Sequence, residues 1–237
     1  MIQKETTATA TKGLHILYSL LFSLLAFLPY FVPPANWEAT KPAALSEYVQ
    51  IGFVGKASSE FRPSLNFATE EVDVSLKQYV KAVKKMHSTE PQTTWRDLGK
   101  FKMQAGEGRL TEITSPSAWG QIKILQLLFV EGNTAYILTG AALKNEFAKF
   151  QNDFMDTFRS LSLIPDIFSP LSEKKRAPFE ALWTASHEHK DQDWKDLQQA
   201  AASCPEMGTY WQFVVLKEGY SKIFQKEKVS LNAESSQ

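Results

Sequence analysis

Between residues 48 and 139 the chain alternates hydrophobic and polar residues in several short runs, a pattern typical of half-buried β-strands. The run Ile122–Val130 becomes apolar on both sides towards its end, as expected of a central strand. Glu131–Asn133 predicts a tight hairpin turn, and Ala105–Gly108 predicts another. The predicted strands are residues 48–54, 65–69, 95–103, 109–114, 120–130 and 134–139.

Two other stretches repeat their apolar residues at intervals of three and four, which predicts amphipathic helices. The first begins at Ser75, because Ser75 and Gln78 form a capping-box pattern, and its lysines fall mostly opposite its apolar residues. The second spans about residues 144–161 and carries four phenylalanines on one stripe. Since each phenylalanine contributes about 1.5–3 kcal/mol when buried, we expect this stripe to pack on the core. The four are Phe147, Phe150, Phe154 and Phe158.

The order of these elements predicts an α+β fold over residues 34–163, an antiparallel sheet with helices packed on it. Pro165 and Pro170 then interrupt the chain, and we place a domain boundary near residue 164. Residues 164–237 predict a mainly helical C-terminal extension with a polar tail. Its helical pieces are about 174–188, 192–203 and 207–226. Within the last piece, residues 210–216 fit a helix or a strand equally well.

Residues 14–32 form an uncharged, mostly apolar run. A helix of this length measures about 28 Å, close to the roughly 30 Å of membrane hydrocarbon. The run therefore predicts a transmembrane anchor preceded by a cytoplasmic tail, residues 1–13. A signal peptide cleaved after Ala26 or Ala35 is the main alternative, and a buried core helix is another.

Lys4 and Lys12 precede this apolar run, which favours a cytoplasmic N-terminus and export of the remainder. We expect a single span in a bacterial inner membrane, with the main domain in the periplasm. If the segment is cleaved, the protein is instead periplasmic or secreted.

Charge and cysteine content narrow the function classes further. The chain has 26 basic and 26 acidic residues, a balance that argues against binding to the phosphate backbone of nucleic acids. Its mean hydropathy of −0.26 excludes a polytopic membrane protein. Cys204 is its one cysteine, so neither an internal disulfide nor a multi-cysteine metal site is available.

Several short motifs follow one another in order within residues 34–163. They are Pro34–Trp37, Leu65–Phe67, Ser75–Tyr79, Glu131–Thr139 and the helix from Phe147 to Leu161. In this order they resemble the PsbP-like superfamily, which includes the Ran-binding Mog-type proteins and the bacterial DcrB-like family. The family often has Ser-Phe where this chain has Ser160-Leu161. Residues 164–237 lie outside the resemblance.

The resemblance implies a fold used for binding and assembly rather than catalysis, and it brings no catalytic residue with it. Lipoprotein members of the superfamily need a cysteine at the end of the signal peptide. This chain has none there, so a lipid anchor is not expected.

The sequence contains few signs of catalytic chemistry. Phosphate-binding loops and nucleophile elbows are absent from the sequence, and Cys204 has no nucleophile signature around it. Gly106 and Gly108 flank Glu107, which would repel phosphate. We therefore predict no catalytic, cofactor-binding or metal-binding residues and no cofactor.

Three features remain as weaker candidates for function. His187 and His189 could chelate a metal from a loop, although on a helix they would point apart, and a solvated connection is the simpler interpretation. The lysines of the 75–88 helix could meet anionic lipid headgroups, but the ordinary charged face of an amphipathic helix is the favoured interpretation. Trp37, Trp95 and Trp119 are expected to pack in the fold or at the rim of the sheet, and Trp119, in a predicted loop, is the one that could instead stack on a ligand.

Together these features favour a non-enzymatic, membrane-anchored, extracytoplasmic binding or assembly factor that acts through an unknown protein partner. The alternative is a carrier or chaperone that holds a hydrophobic ligand or peptide between the sheet and the extension. A metal-dependent enzyme built on His187 and His189 is a third hypothesis.

Overall fold

The computed structural model describes residues 27–41, 45–46, 48–56, 59–185 and 190–224. Its strands form a seven-stranded antiparallel sheet in the order β2-β3-β4-β8-β7-β6-β5 and a small ribbon in which β1 pairs with β9. The strands are β1 Leu28–Tyr30, β2 Glu38–Ala39, β3 Val49–Val54, β4 Ser64–Glu71, β5 Thr94–Met103, β6 Gly106–Ser117, β7 Gly120–Glu131, β8 Thr134–Leu143 and β9 Ser162–Ile164.

The helices of the described residues divide between the sheet and the C-terminal extension. They are α1 Leu76–His87, α2 Phe147–Arg159, α3 Glu173–Ala185, α4 Lys190–Ala202 and α5 Gly208–Phe224. The predicted capping box is confirmed: the Ser75 hydroxyl and the Gln78 side chain each cap a backbone N–H at the start of α1. The predicted α+β class with an antiparallel sheet is also confirmed.

The two long helices of the main domain cover opposite faces of the sheet. Helix α2 lies on one face, where the Phe154 ring fills the space above Gly140 so closely that a Cβ there would come within 2.4 Å of it. Phe158 of α2 meets Phe101 of β5 edge to face. Helix α1 packs on the other face, against β5, β6 and β7, and buries Val83. The main core therefore lies between the sheet and α2.

The extension has a small core of its own and also completes the main core. Its buried residues include Phe179, Leu197 and Trp211, and the Trp211 indole N–H donates to the Ile167 carbonyl over 2.8 Å. Tyr210, the neighbour of Trp211, instead belongs to the main core and is 2% exposed. The extension is thus docked onto the domain through successive residues of α5.

This double contact explains why residues 210–216 were ambiguous in the sequence. The segment is helical. Its helix packs on two sides at once, with Trp211 and Val215 in the extension core and Tyr210 in the main core. A helix that is buried on more than one side lacks the polar stripe that marks an amphipathic helix.

The structure corrects the prediction for the end of the apolar segment 14–32, because residues 28–31 belong to the folded domain. Leu28–Tyr30 form β1, paired with β9, and Phe31 is completely buried in the main core. These residues are apolar because they build the fold, and an apolar run does not distinguish a core strand from the end of a membrane helix. The fold accordingly begins before residue 34, the start that the resemblance gave.

The rest of the predicted apolar segment lies outside the described residues, as do the cytoplasmic tail and the polar C-terminal tail. Among the described residues, no helix combines the length and the apolar character needed to cross a bilayer.

The hairpin turn predicted at Ala105–Gly108 is displaced. Gln104 and Ala105 form the turn, and Gly106, Glu107 and Gly108 already belong to β6. Gly106 has a φ of 135°, which glycine adopts readily, so the strand can begin directly after the turn.

Replacing Tyr210 with Ala should destabilise the protein by about 3–5 kcal/mol, the usual cost of removing a large buried aromatic side chain. Tyr210→Phe should cost only about 1 kcal/mol, because it removes one hydrogen bond, from the tyrosine hydroxyl to the Pro29 carbonyl. Urea unfolding of the purified chain measures both effects. Tyr48→Ala is the control, since Tyr48 is 75% exposed. Equal stability of Tyr210→Ala and Tyr48→Ala would show that the extension does not support the domain.

Candidate functional site: a basic cleft beside helix α1

A cleft of about 650 Å³ lies between α1 and the β5–β6 hairpin. Helix α1 forms one wall, and the outer strands of the sheet form the other. The lining residues are Leu76, Lys77, Val80, Lys81 and Lys84 from α1 and Trp95, Asp97, Lys100, Glu107, Gly108 and Arg109 from the hairpin. We refer to this set as the basic cleft.

The helix wall presents apolar and basic side chains together. Lys77, Lys81 and Lys84 follow one another at intervals of four and three, so they lie along one side of α1. Leu76 and Val80 lie beside them and provide apolar surface. Within the described part of the chain, Lys77 and Lys81 take part in no ion pair. Their ammonium groups are therefore available to a ligand.

The sheet wall depends on an irregularity in β5. The register between β5 and β6 shifts between Asp97 and Gly99, where Gly99 adopts a φ of 104°. Trp95, before the bulge, pairs with Ile113, and Lys100, after it, pairs with Arg109. Ile113 and Arg109 lie four residues apart on β6 and so face the same side of the sheet. The bulge therefore keeps Trp95 and Lys100 both facing α1. Without the bulge, strand alternation would turn Lys100 to the opposite face.

An ion pair is built into the sheet wall. The Arg109 guanidinium donates to both carboxylate oxygens of Asp97, with Nε–Oδ1 2.7 Å and Nη2–Oδ2 2.6 Å. The Gly99 backbone N–H donates to Asp97 Oδ1 over 2.9 Å. Lys100 and Glu107 form a second pair at 2.8 Å. Both acidic residues of the basic cleft are thus held by basic residues of the same wall.

The environment of Asp97 is strongly cationic. The hydrogen bonds from Arg109 lower the pKa of the Asp97 carboxyl, partial burial opposes this, and the Gly99 N–H and the charge of Lys84 lower it further. The basic cleft contains five basic and two acidic side chains, so its local charge is positive although the chain as a whole is neutral. It will attract anionic groups.

Trp95 gives the sheet wall of the basic cleft an apolar surface. The Lys84 ammonium lies 5.7 Å from the centre of its ring, within range of a cation–π interaction. The indole nitrogen is buried and has no hydrogen-bond partner among the described residues. An apolar group can pack on this surface while the surrounding lysines pair with its anionic neighbours.

The basic cleft offers ammonium groups, two ion pairs and an apolar surface to a ligand. No cluster of three or more His, Cys, Asp or Glu side chains able to hold a metal occurs within the described ranges. His187 and His189 lie outside them, so the metal-site hypothesis is untested. Cys204 is buried in the extension core.

The tryptophans take three different places. Trp37 packs against Phe150 and Phe154, as expected for a structural residue. Trp95 lines the basic cleft, a place that the sequence did not reveal. Trp119 is 55% exposed at the β6–β7 turn, in agreement with the predicted loop.

The basic cleft itself was missed by the sequence analysis. The signal that could have found it is the lysine spacing on α1 next to Leu76 and Val80, which places basic and apolar groups on adjoining strips of one helix. The partner wall depends on the bulge at Gly99, and an isolated glycine inside a predicted strand is the sequence signal of such a bulge.

Arg109→Gln should raise the pKa of Asp97 towards its ordinary value, since the Arg109 hydrogen bonds are the largest cause of its lowering. Lys84→Gln should raise it less, because Lys84 acts only through its charge. NMR titration of the Asp97 carboxyl carbon measures both shifts. A carboxyl group whose pKa is lower in the folded than in the unfolded state stabilises the fold at any pH above its unfolded-state pKa. This stabilisation is lost as the pH falls through the folded-state pKa. The stability difference between wild type and Arg109→Gln should therefore shrink in acid. An unchanged Asp97 pKa in Arg109→Gln would contradict the ion pair.

Comparison with known proteins gives likenesses of structure alone. No protein-family model matches the sequence, and no curated protein matches it. Among solved structures, LpqN of Mycobacterium tuberculosis, which is involved in cell envelope biogenesis, aligns with a TM-score of 0.45 and 10% identity over 59% of this chain and 86% of LpqN.

Two further similar structures come from the groups named above. The PsbP protein of the cyanobacterium Synechocystis aligns with a TM-score of 0.40 and 9% identity over 67% of this chain and 98% of that one. The Ran-binding protein Mog1p of Saccharomyces cerevisiae aligns with a TM-score of 0.38 and 16% identity over 57% of this chain and 90% of that one. A PsbP protein and a Mog protein, members of groups that the resemblance named, are thus both among the structures to which this chain is similar.

Proposed function

We propose that this protein is a non-enzymatic binding or assembly factor that holds an acidic, partly apolar segment of a protein partner in the basic cleft. The observation that carries the proposal is the pair Lys77 and Lys81, which have no ion-pair partner in the described chain and stand beside the apolar surface of Trp95 and Val80. Cationic groups next to an exposed apolar surface match a ligand that carries both carboxylates and apolar side chains.

The spread of the charges favours a polypeptide over a small anion. Lys77 and Lys84 are seven residues apart on α1, which corresponds to about 10 Å along the helix axis. One phosphate or one carboxylate meets the whole row only if the flexible lysine stems converge on it. A row of carboxylates on a helix or an extended segment can meet several of them at once.

The sheet wall of the basic cleft is already ordered, which also suits the binding of a protein segment. Arg109 and Lys100 are already paired with Asp97 and Glu107, so the sheet wall is held in place before a ligand arrives. Binding then needs little reordering on that side, which lowers its entropic cost. The α1 lysines supply the new ion pairs.

The carrier hypothesis placed a hydrophobic ligand between the sheet and the extension. In the structure the Phe31 and Tyr210 rings stack there at a centroid distance of 3.9 Å, and Phe67 packs on Tyr210 edge to face. The chain's own side chains fill this interface, and the proposal therefore rests on the basic cleft instead.

The proposal includes export of the described domain to the extracytoplasmic side, directed by the N-terminal apolar run. With Leu28–Tyr30 in the fold, the part of that run before Phe27 is residues 14–26, about 20 Å as a helix. This is shorter than the roughly 30 Å of hydrocarbon and lies within the range of signal-peptide cores. Cleavage after Ala26 is therefore a full alternative to a membrane anchor.

The double reversal Lys77→Glu with Lys81→Glu should lower partner binding about tenfold, because two attractive charges become repulsive. A photo-crosslinking amino acid at Leu98, an exposed residue at the bulge beside the basic cleft, reports binding as the yield of protein adduct in cells. Higher ionic strength should weaken the adduct further, since exposed charges are screened beyond about 8–10 Å.

The matched control is Lys174→Glu with Lys217→Glu, two exposed lysines on α3 and α5 that give the same change in net charge. It should leave the adduct unchanged. The proposal is wrong if both double variants lose the adduct equally, if neither does, or if Leu98 labels only lipid.

The N-terminus of the mature protein should lie either before the apolar run or at Phe27, and mass spectrometry of the purified protein determines it. A start at Asn36 would remove β1 and the buried Phe31, which should unfold the main core. A stable mature chain that begins at Asn36 would contradict this assignment of β1.

A further inference from the structure

Trp119 lies at the tip of the β6–β7 hairpin, away from the basic cleft, with 55% of its surface exposed. The turn holds it firmly: its backbone N–H donates to the Ser117 hydroxyl over 3.2 Å, and that hydroxyl donates to the Gly120 carbonyl over 2.7 Å. The Phe61 ring supports the indole from one side, at 5.7 Å between centroids. The indole is thus fixed in an outward position.

An open depression of about 440 Å³ adjoins this indole. Its other lining residues are Gly120, Gln121, Leu143, Lys144 and Asn145. The Lys144 ammonium donates to the Gln121 side-chain carbonyl over 2.9 Å, which leaves the Gln121 amide N–H groups free to donate outwards. The Asn145 amide makes no hydrogen bond to any described residue.

We propose that this depression is a carbohydrate-binding site, in which a pyranose ring stacks on Trp119 and its hydroxyls pair with the amides of Gln121 and Asn145. A pyranose with equatorial hydroxyls has an apolar face of C–H groups and a polar edge. An exposed indole beside neutral amides complements both parts, because the ring gains dispersion contacts while the amides both donate and accept hydrogen bonds.

The charge of the site favours a neutral polyol over an ionic ligand. Its lining contains no carboxylate, and its one basic residue, Lys144, already donates to Gln121. Shallow, open sites of this kind suit a sugar, which binds through one face and remains partly solvated at its rim.

The position of the site argues against a bilayer as its occupant. Lys144 lies just before α2, whereas β9 and its partner β1 follow the far end of α2. The helix length, about 20 Å, therefore separates Trp119 from the place where the N-terminal residues join the fold. A membrane attached through those residues lies at the opposite end of the domain.

The test uses two β-1,4-linked tetrasaccharides, one of glucose and one of N-acetylglucosamine, and measures their binding to the purified chain by titration calorimetry. Wild type should bind at least one of them. Trp119→Ala should weaken that binding about tenfold or more, Asn145→Ala should weaken it severalfold, and Trp119→Phe should keep part of it because a ring remains.

Tyr48→Ala is the matched control, an exposed aromatic residue outside the depression, and it should bind as wild type does. Thermal unfolding of Trp119→Ala should match wild type, since Trp119 is largely exposed. The proposal is overturned if wild type binds neither sugar, if Trp119→Ala binds as well as wild type, or if Trp119 mediates binding to phospholipid vesicles but to no sugar. The reversal at Lys77 and Lys81 should leave sugar binding unchanged, which separates this site from the basic cleft.

Discussion

The stack of Phe31 on Tyr210 is the contact on which the rest of the structure depends. Their ring centroids are 3.9 Å apart, and both residues are almost completely buried. One belongs to the chain just after β1, and the other to α5, so a single stack joins the beginning of the fold to its last helix. Phe31 also packs on Phe53 and Phe67 of the sheet. The stack belongs to the main core, and Trp211, the neighbour of Tyr210 on α5, belongs to the extension core, so α5 ties the two cores together.

Local patterns were enough to predict most of the sheet and its helices. Strand alternation, the hairpin at Gly132 and the Ser75 cap each depend on residues close together in sequence, and each appears in the structure. The docking of the extension could not be predicted in the same way. It joins Phe31 to Tyr210 across most of the chain, and nothing in either local pattern names the other residue. Phe31 was instead assigned to a membrane segment, because a buried strand and a membrane helix are equally apolar.

The basic cleft shows a second limit of reading a sequence by pattern. Lysines on an amphipathic helix predict a face that is exposed to solvent. That prediction holds unless another element packs beside the lysine face and forms a cleft with it. Here the bulge at Gly99 keeps both Trp95 and Lys100 on the side of the sheet that faces α1, and part of the lysine face becomes a lining. One backbone irregularity, which leaves no mark in the alternation of polar and apolar residues, changes the role of the lysines. The Trp119 depression was easier to anticipate, since an exposed tryptophan in a loop is unusual by itself.

The ribbon of β1 and β9 also determines how the protein would respond to mechanical load. If the N-terminal residues are tethered while a partner pulls on the domain, tension enters the fold at Leu28 and reaches the three residue pairs between β1 and β9 first. The hydrogen bond from Tyr210 to the Pro29 carbonyl lies directly on that path, over 3.0 Å, and the Phe31 stack follows it. The N-terminal tether and the last helix therefore meet at one joint, and the ribbon of β1 and β9 takes the tension before the seven-stranded sheet does.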